Sequence, residues 1–171
     1  MNQMIEVLCG LTARYADKWH AAGLTLFEFN EQLNGLDREI VKLLYHNYQI
    51  WHFIELYTSP DSGTVLFVYD GGIKHNKMRN DCIEKVDTFL CEHQMGVGRI
   101  NSETIGSILD RIGILQIKTL HLADKGDPRL PLVRRQLDTL VRCAGELLDD
   151  MIAGARRCEV FARFKIEYSG Q

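Results

Sequence analysis

The segment from Asn101 to Leu122, NSETIGSILDRIGILQIKTLHL, constrains the fold more than any other part of the chain. At about 100° per residue, its apolar side chains occupy one broad face and most of its polar side chains gather on the opposite face. Such a segment is an amphipathic helix whose apolar face must be covered by other helices. Its polar face combines carboxylates, a hydroxyl, an amine and an imidazole, on Glu103, Ser107, Asp110, Lys118 and His121. This combination is typical of a functional site, and also of an ordinary solvated face.

Helical periodicity recurs along the chain, which contains only 3 prolines. We predict further helices over residues 3–21, 37–57, 73–92 and 127–156, with a short helix near residues 25–29. Ser102 is the predicted N-cap of the helix described above, and Asp127 with Pro128 is the predicted start of the last helix. Residues 64–72, TVLFVYDGG, are compatible with strand or helix, and helix is favoured. The sequence therefore predicts one all-α domain over residues 1–171, a bundle of about four long helices with one or two short ones.

Length, charge and cysteine content limit the function classes. A chain of 171 residues is long enough for one well-buried domain. Its net charge of -3 provides no basic surface for nucleic acid, and no apolar run approaches the roughly 20 residues that span a bilayer. The 5 cysteines form no C-x-x-C pair, and the N-terminal residues do not resemble a signal peptide. We therefore expect a cytoplasmic protein with reduced thiols and no membrane span.

His52 and Glu55 form the first candidate site, because a spacing of three residues places them on one face of the predicted helix over 37–57. A histidine and a carboxylate in this arrangement can bind a metal ion or transfer a proton. The alternative is a buried histidine whose ring is held by Glu55 or by Tyr48. A single pair at this spacing is a weak motif, so the structural alternative is favoured.

Glu84 and Asp87 form the second candidate site, on the predicted helix over 73–92. Two carboxylates one helical turn apart can hold Mg²⁺ or Mn²⁺, which prefer oxygen ligands. The alternative is a polar helix flank that forms hydrogen bonds to its neighbours. Arg79 lies apart from these carboxylates, next to the apolar edge of the helix, where an interhelical ion pair is its expected role.

The polar face of the helix over 101–122 provides the third candidate site. Asp110 forms a compact group with Ser107, Arg111 and Lys118, whereas His121 lies nearer the far end. Glu103 and His121 are about 27 Å apart by helical rise, so the whole face cannot bind one metal ion. A structural network of ion pairs between helices is the alternative.

Four motifs together resemble a bacterial family called domain of unknown function 4254. They are IWHFIE (50–55), NKMRNDCIEKVD (76–87), INSETIGSILDRIGILQIKTLHL (100–122) and VFARFKIEY (160–168), so the resemblance extends over roughly residues 40–168. It implies an all-α fold and a bacterial origin, but no established activity. The family pattern carries over onto Trp51, His52, Arg79, Asn80, Asp81, Glu84, Asp87, Asn101, Glu103, Gly106, Asp110, Arg111, Lys118 and His121.

This chain departs from the family pattern at three places. The family usually has two adjacent acids where this chain has Ile54 and Glu55, which argues against a site for two metal ions. A proline is usual at the position of Ile105. The uninterrupted helix expected before Asn76 is replaced by VYDGGIKH (68–75), whose glycine pair is a point at which a helix can break.

Two functions remain open from the sequence. The first is a hydrolase or transferase that uses a divalent metal ion, Mg²⁺ or Mn²⁺, to act on a phosphorylated or nucleotide-type small molecule. Its predicted metal ligands are Glu55, Glu84 and Asp87, its predicted catalytic residues are His52, Asp110, His121, Arg111 and Lys118, and its further polar candidates are Arg79, Asn80, Asp81 and Glu103. The second is a non-catalytic helical module that forms a homodimer or binds a partner protein, in which the same residues form buried ion pairs.

Overall fold

Five helices account for most of the residues that the computed structural model describes, namely residues 3–22, 33, 35–56, 62–93 and 98–160. They are α1 (Gln3–Ala22), α2 (Gly35–Leu56), α3 (Ser62–His93), α4 (Ile105–Asp124) and α5 (Leu130–Ile152). The predicted all-α bundle is confirmed, with five long helices where about four were expected. Among the described residues, no helix combines the length and apolar character needed to cross a bilayer. The predicted short helix near residues 25–29 lies outside the described residues.

Helices α2 and α3 form an antiparallel hairpin, the most extensive helix pair among the described residues. Contacts between Glu39 and Lys85 near one end, and between Phe53 and Gly71 near the other, define its direction. Residues 64–72 lie within α3, so the predicted helix is confirmed there and the glycine pair does not interrupt it. A Cβ atom on Gly71 would lie 2.5 Å from Cζ of Phe53. The first glycine of the pair therefore gives the Phe53 ring its space.

Helix α4 begins at Ile105 and its N-cap is Thr104, so the predicted N-cap, Ser102, is wrong by two residues. Thr104 is extended (φ -92°, ψ 159°), and its hydroxyl oxygen accepts a hydrogen bond from the Ser107 amide at 3.2 Å. The Gly106 amide donates to Oδ1 of Asp87 on α3 at 2.7 Å. A carboxylate from a neighbouring helix thus pairs with an amide that the first turn of α4 leaves free, at the positive end of the helix dipole.

Helix α5 is shorter at both ends than predicted. Asp127 and Pro128 belong to a turn, in which the Asp127 carboxylate accepts a hydrogen bond from the Arg129 amide at 2.8 Å, and α5 starts at Leu130. The predicted end near Arg156 is also wrong, because Gly154 adopts a left-handed conformation (φ 72°) and turns the chain. The chain then forms a two-residue strand, Arg156–Arg157 (β2), which pairs in parallel with Arg99–Ile100 (β1).

Two clusters of buried apolar side chains form the core. The larger contains residues of all five helices, including Ile5, Leu43, Ile83, Ile112 and Leu148. The smaller joins α1, α2 and α4 and consists of Leu11, Ala16, Trp19, Val41, Leu44, Tyr48 and Ile117. Trp51 packs at the edge of this smaller cluster. The last turns of α1, α2 and α4 therefore lie close to one another at one end of this smaller cluster.

Candidate metal centre

His52, Glu55 and His121 converge where the last turns of α2 and α4 meet. One potential ligand atom of each residue lies within 4.8 Å of those of the other two. Nδ1 of His52 is 3.0 Å from Oε2 of Glu55, and Nδ1 of His121 is 3.7 Å from Oε1 of the same carboxylate. The two imidazoles therefore approach both oxygens of one carboxylate.

Local spacing and helix packing together produce this arrangement. His52 and Glu55 share one face of α2 because they are one helical turn apart. Helix α4 packs against α2 partway along its length, where the Asn47 amide donates to Oδ1 of Asp110 at 2.9 Å. Contact continues to the last turn of α4, which carries His121. The i,i+3 pair predicted from the sequence thus gains a third residue from another helix.

Aromatic side chains form the walls of the centre. The Trp51 indole stacks on the His121 ring, with centroids 5.1 Å apart and an interplanar angle of 19°. Its Nε1 donates a hydrogen bond to Oε1 of Glu55 at 3.1 Å. The Tyr48 ring meets the His52 ring edge to face, with centroids 4.5 Å apart. These contacts fix both imidazoles, whereas the Glu55 side chain is 41% exposed and opens the centre to solvent.

Burial keeps both imidazoles in their neutral form. It lowers the pKa of His52 and of His121, and the opposing charge of Glu55 offsets part of this effect. Neutral imidazole is the form that coordinates metal ions. Nε2 of each ring is buried without a hydrogen-bond partner. The candidate ligand atoms of the two rings are their Nδ1 atoms, which lie 3.0 Å and 3.7 Å from the oxygens of the Glu55 carboxylate.

His20 and Asp124 extend the centre at its edge, and the sequence analysis did not single out either residue. His20 belongs to the last turn of α1, and Nε2 of its ring bonds to Oδ2 of Asp124 in the last turn of α4. The His20 ring meets the His121 ring edge to face, with centroids 4.9 Å apart. His20 and Asp124 are 104 positions apart in the chain, so no local spacing could have revealed this contact.

The structure does not bring together the predicted metal ligands Glu55, Glu84 and Asp87. In the α2–α3 hairpin, Lys85 lies 3.5 Å from Glu39, at the opposite end of α2 from Glu55. Glu39 and Glu55 are 16 residues apart along α2, which corresponds to about 24 Å. Glu84 instead lines a shallow groove on the outer side of α3, together with Asp81, Lys85, Thr88, Phe89 and Glu92. Spacing along α3 could not show that this face points away from Glu55.

Asp87 and Asp110 occupy buried structural positions. Asp87 accepts the hydrogen bond from Gly106 described above and is 4% exposed. Asp110 is 9% exposed and accepts a hydrogen bond from Asn47. Its Oδ1 lies 3.8 Å from Nε of Arg79, which confirms the predicted interhelical ion pair of that arginine. Both carboxylates therefore connect helices.

The remaining predicted residues lie outside the cluster. Arg111 and Glu103 form an exposed ion pair, with Nη2 and Oε2 2.7 Å apart, and Arg111 precedes His121 by ten residues on the chain. Asn80 and Lys118 are half-buried on α3 and α4. Of these residues, Lys118 lies nearest to the centre along the chain, because it precedes His121 by one helical turn.

The chain belongs to the family described as "Protein of unknown function (DUF4254)", whose sequence model matches residues 38–160. This match confirms the resemblance predicted from the motifs. It includes most of α2 and all of α3, α4 and α5, and therefore His52, Glu55 and His121, whereas α1 with His20 lies before it. No curated protein and no solved structure matches the chain.

Proposed function

We propose that this protein is an enzyme in which His52, Glu55 and His121 hold a divalent metal ion. The reaction class that we assign is hydrolysis or group transfer on a small phosphorylated molecule. This reaction class is the one predicted from the sequence. The metal ion, however, lies where α2 and α4 meet rather than at the carboxylates of α3, because only there do three potential ligands of the described residues converge.

The geometry of the three side chains is the observation that carries this proposal. Ligand atoms bound at about 2.0–2.1 Å around a tetrahedral ion lie about 3.3 Å from one another. Nδ1 of His52 lies 3.0 Å from Oε2 of Glu55 and Nδ1 of His121 lies 3.7 Å from Oε1, on either side of this value, and one ligand atom of each residue lies within 4.8 Å of the other two. Three protein ligands leave a fourth position for water or substrate, as in catalytic zinc sites. The exposure of Glu55 provides the access that such a position needs.

The donor set favours a transition metal ion over magnesium. Two imidazole nitrogens and one carboxylate suit Zn²⁺, Fe²⁺ or Mn²⁺, whereas Mg²⁺ prefers oxygen ligands throughout. Of the two ions first expected from the sequence, Mn²⁺ therefore fits this centre better. A divalent ion held here would polarise a phosphoryl oxygen and lower the pKa of a bound water molecule.

Two lysines near the centre support an anionic substrate. Lys118 precedes His121 by one turn of α4, and Lys125 follows directly after the end of that helix. The charge of Lys125 is among the causes that lower the pKa of His121, although burial is the largest. Ammonium groups beside a bound phosphate can neutralise its charge. Arg111, in contrast, lies about 15 Å from His121 by helical rise and is paired with Glu103.

Metal titration of chelator-treated protein tests the metal centre. We expect one equivalent of Zn²⁺ or Mn²⁺ to bind, as measured by calorimetry, and Mg²⁺ to bind more weakly. Metal at 100 times its Kd should stabilise the fold by about 2.7 kcal/mol, visible as a rise in Tm. Glu55→Gln and His121→Gln should each weaken binding at least tenfold. Glu84→Gln is the matched control, because it removes a carboxylate of α3 and should leave the Kd unchanged.

Hydrolysis of p-nitrophenyl phosphate by the metal-loaded protein tests the reaction class. We expect metal-dependent release of p-nitrophenol that Glu55→Gln abolishes and Glu84→Gln retains. Metal binding without turnover of this or other phosphate esters would refute the assigned reaction and leave the metal centre standing. A wild-type protein that binds none of these ions, or equal binding by wild type and His121→Gln, would refute the centre itself.

A further inference from the structure

Exposed apolar side chains cluster at the end of the α2–α3 hairpin. Ile54 and Tyr69 are 64% and 61% exposed, and Leu56 and Ile73 are also exposed. Of these residues, Ile54, Tyr69 and Ile73 line a groove of about 370 Å³ between the two helices. Large contiguous apolar patches are uncommon on monomeric proteins and mark interaction surfaces. None of these four residues belongs to the candidate metal centre.

Gly72 lies in this groove, and no atom of the described residues occupies the space that a side chain at this position would take. A Cβ atom added to Gly72 would meet nothing within 4 Å, whereas one added to Gly71 would collide with Phe53. Glycine in the middle of a helix costs about 1 kcal/mol relative to alanine. A bare backbone on an exposed helix face does, however, allow another helix to approach closely.

We infer that this surface binds a second copy of the same chain, with the two α3 helices antiparallel. Apart from Val68, which is buried, the groove residues of α3 are Tyr69, Gly72, Ile73 and Asn76, and they follow an i, i+3, i+4, i+7 pattern. This pattern maps onto itself when the helix is reversed about its midpoint. A two-fold axis between positions 72 and 73 places Tyr69 opposite Asn76 of the partner subunit. It also places Ile73 against Ile73 of the partner subunit, with the two glycines side by side.

The charged side chains beside the groove also favour the antiparallel pairing of the two α3 helices. Asp70 and Lys77 are exposed on α3, and at 100° per residue both lie on the same flank of the groove stripe. In the antiparallel pair, Asp70 lies within about 3 Å, along the helix axis, of Lys77 of the partner subunit. The two-fold axis repeats this opposite-charge contact on the other side of the interface. Shape and charge are thus both complementary to a second copy.

Sedimentation velocity over a range of micromolar concentrations tests this inference. We expect a reversible dimer for the wild type. Asp70→Lys and Lys77→Asp should each weaken the dimer at least tenfold, because each places like charges opposite one another. An equimolar mixture of the two variants should dimerise again, because the charges are then opposite in both contacts. Asp138→Lys, an equivalent charge reversal on the exposed face of α5, is the control and should dimerise as the wild type does.

Ile73→Lys provides a second test, since it places an ammonium group at the two-fold axis. We expect a folded monomer, with the circular dichroism of the wild type and the same affinity for metal ions. A wild type that stays monomeric over the whole concentration range would overturn the inference. A dimer that persists in Ile73→Lys, or a mixture that does not dimerise again, would place the interface elsewhere. None of these outcomes affects the metal titration, so the two proposals can fail separately.

Discussion

The buried His46 and the half-buried His75 make the stability of the fold sensitive to mild acid. Nδ1 of His46 on α2 lies 3.0 Å from Nδ1 of His75 on α3. Burial lowers the pKa of His46 to about 4, and the neighbouring His75 and Lys42 act in the same direction, while Glu39 opposes them. Burial also lowers the pKa of His75. The folded protein therefore holds both rings in their neutral form at neutral pH.

The size of the effect follows from the pKa of His46. In the unfolded chain a histidine has a pKa of about 6.5, compared with about 4 here, and this difference corresponds to about 3 kcal/mol. Between these two values the unfolded chain binds more protons than the folded protein, so stability rises with pH. The contribution is fully present above pH 6.5 and is lost as the pH falls towards 4.

Urea unfolding at pH values between 7 and 4 measures this loss. We expect the free energy of unfolding of the wild type to fall by about 3 kcal/mol more than that of His46→Gln, which cannot titrate at this position. His93→Gln, which removes an exposed imidazole, is the control and should follow the wild type. If the wild type and His46→Gln lose stability in parallel, His46 accepts its proton inside the fold and the reasoning is refuted.

Two substitutions test how α4 begins. A Cβ atom on Gly106 would lie 2.6 Å from Oδ1 of Asp87 and 2.8 Å from the Ile83 carbonyl oxygen, so Gly106→Ala must separate α3 from α4. We expect a loss of about 2 kcal/mol in chemical denaturation, and a loss of only a few tenths would show that the helices part freely. Thr104→Ala removes the N-cap and should cost about 1 kcal/mol, whereas Thr104→Ser should retain most of the stability; equal losses would contradict the assigned cap.

The helices could be predicted from the sequence, but their ends could not. Periodicity identifies α4 because one face must be apolar, and that requirement depends only on local spacing. Ser102 and Thr104 are both chemically suitable N-caps. The choice between them depends on Asp87, which holds the Gly106 amide from another helix. Helix α5 shows the same limitation at its C-terminal end, where the left-handed conformation of Gly154 ends it before the predicted position.

Only part of the candidate centre could be predicted from the sequence, for a related reason. The pair of His52 and Glu55 could be found because one helical turn separates them. His121 was also a candidate, but its distance from that pair depends on how α4 packs against α2. Glu84 and Asp87 have the same local spacing as His52 and Glu55, yet Glu84 lies on the outer side of α3 and Asp87 is buried against α4. Spacing identifies potential ligands, and only packing determines which of them meet.

Solvent access separates the residues that can act on a ligand from those that hold the helices together. Asp87 and Asp110 are both almost fully buried, and each accepts a hydrogen bond from another helix. A substrate could reach either carboxylate only if the helices separated, which would break these contacts. Glu55 instead combines an exposed carboxylate with two imidazoles held by aromatic rings. Because a catalytic group must be both rigidly held and accessible, we propose chemistry at the last turn of α2 and assign the buried carboxylates of α3 and α4 to holding the helices together.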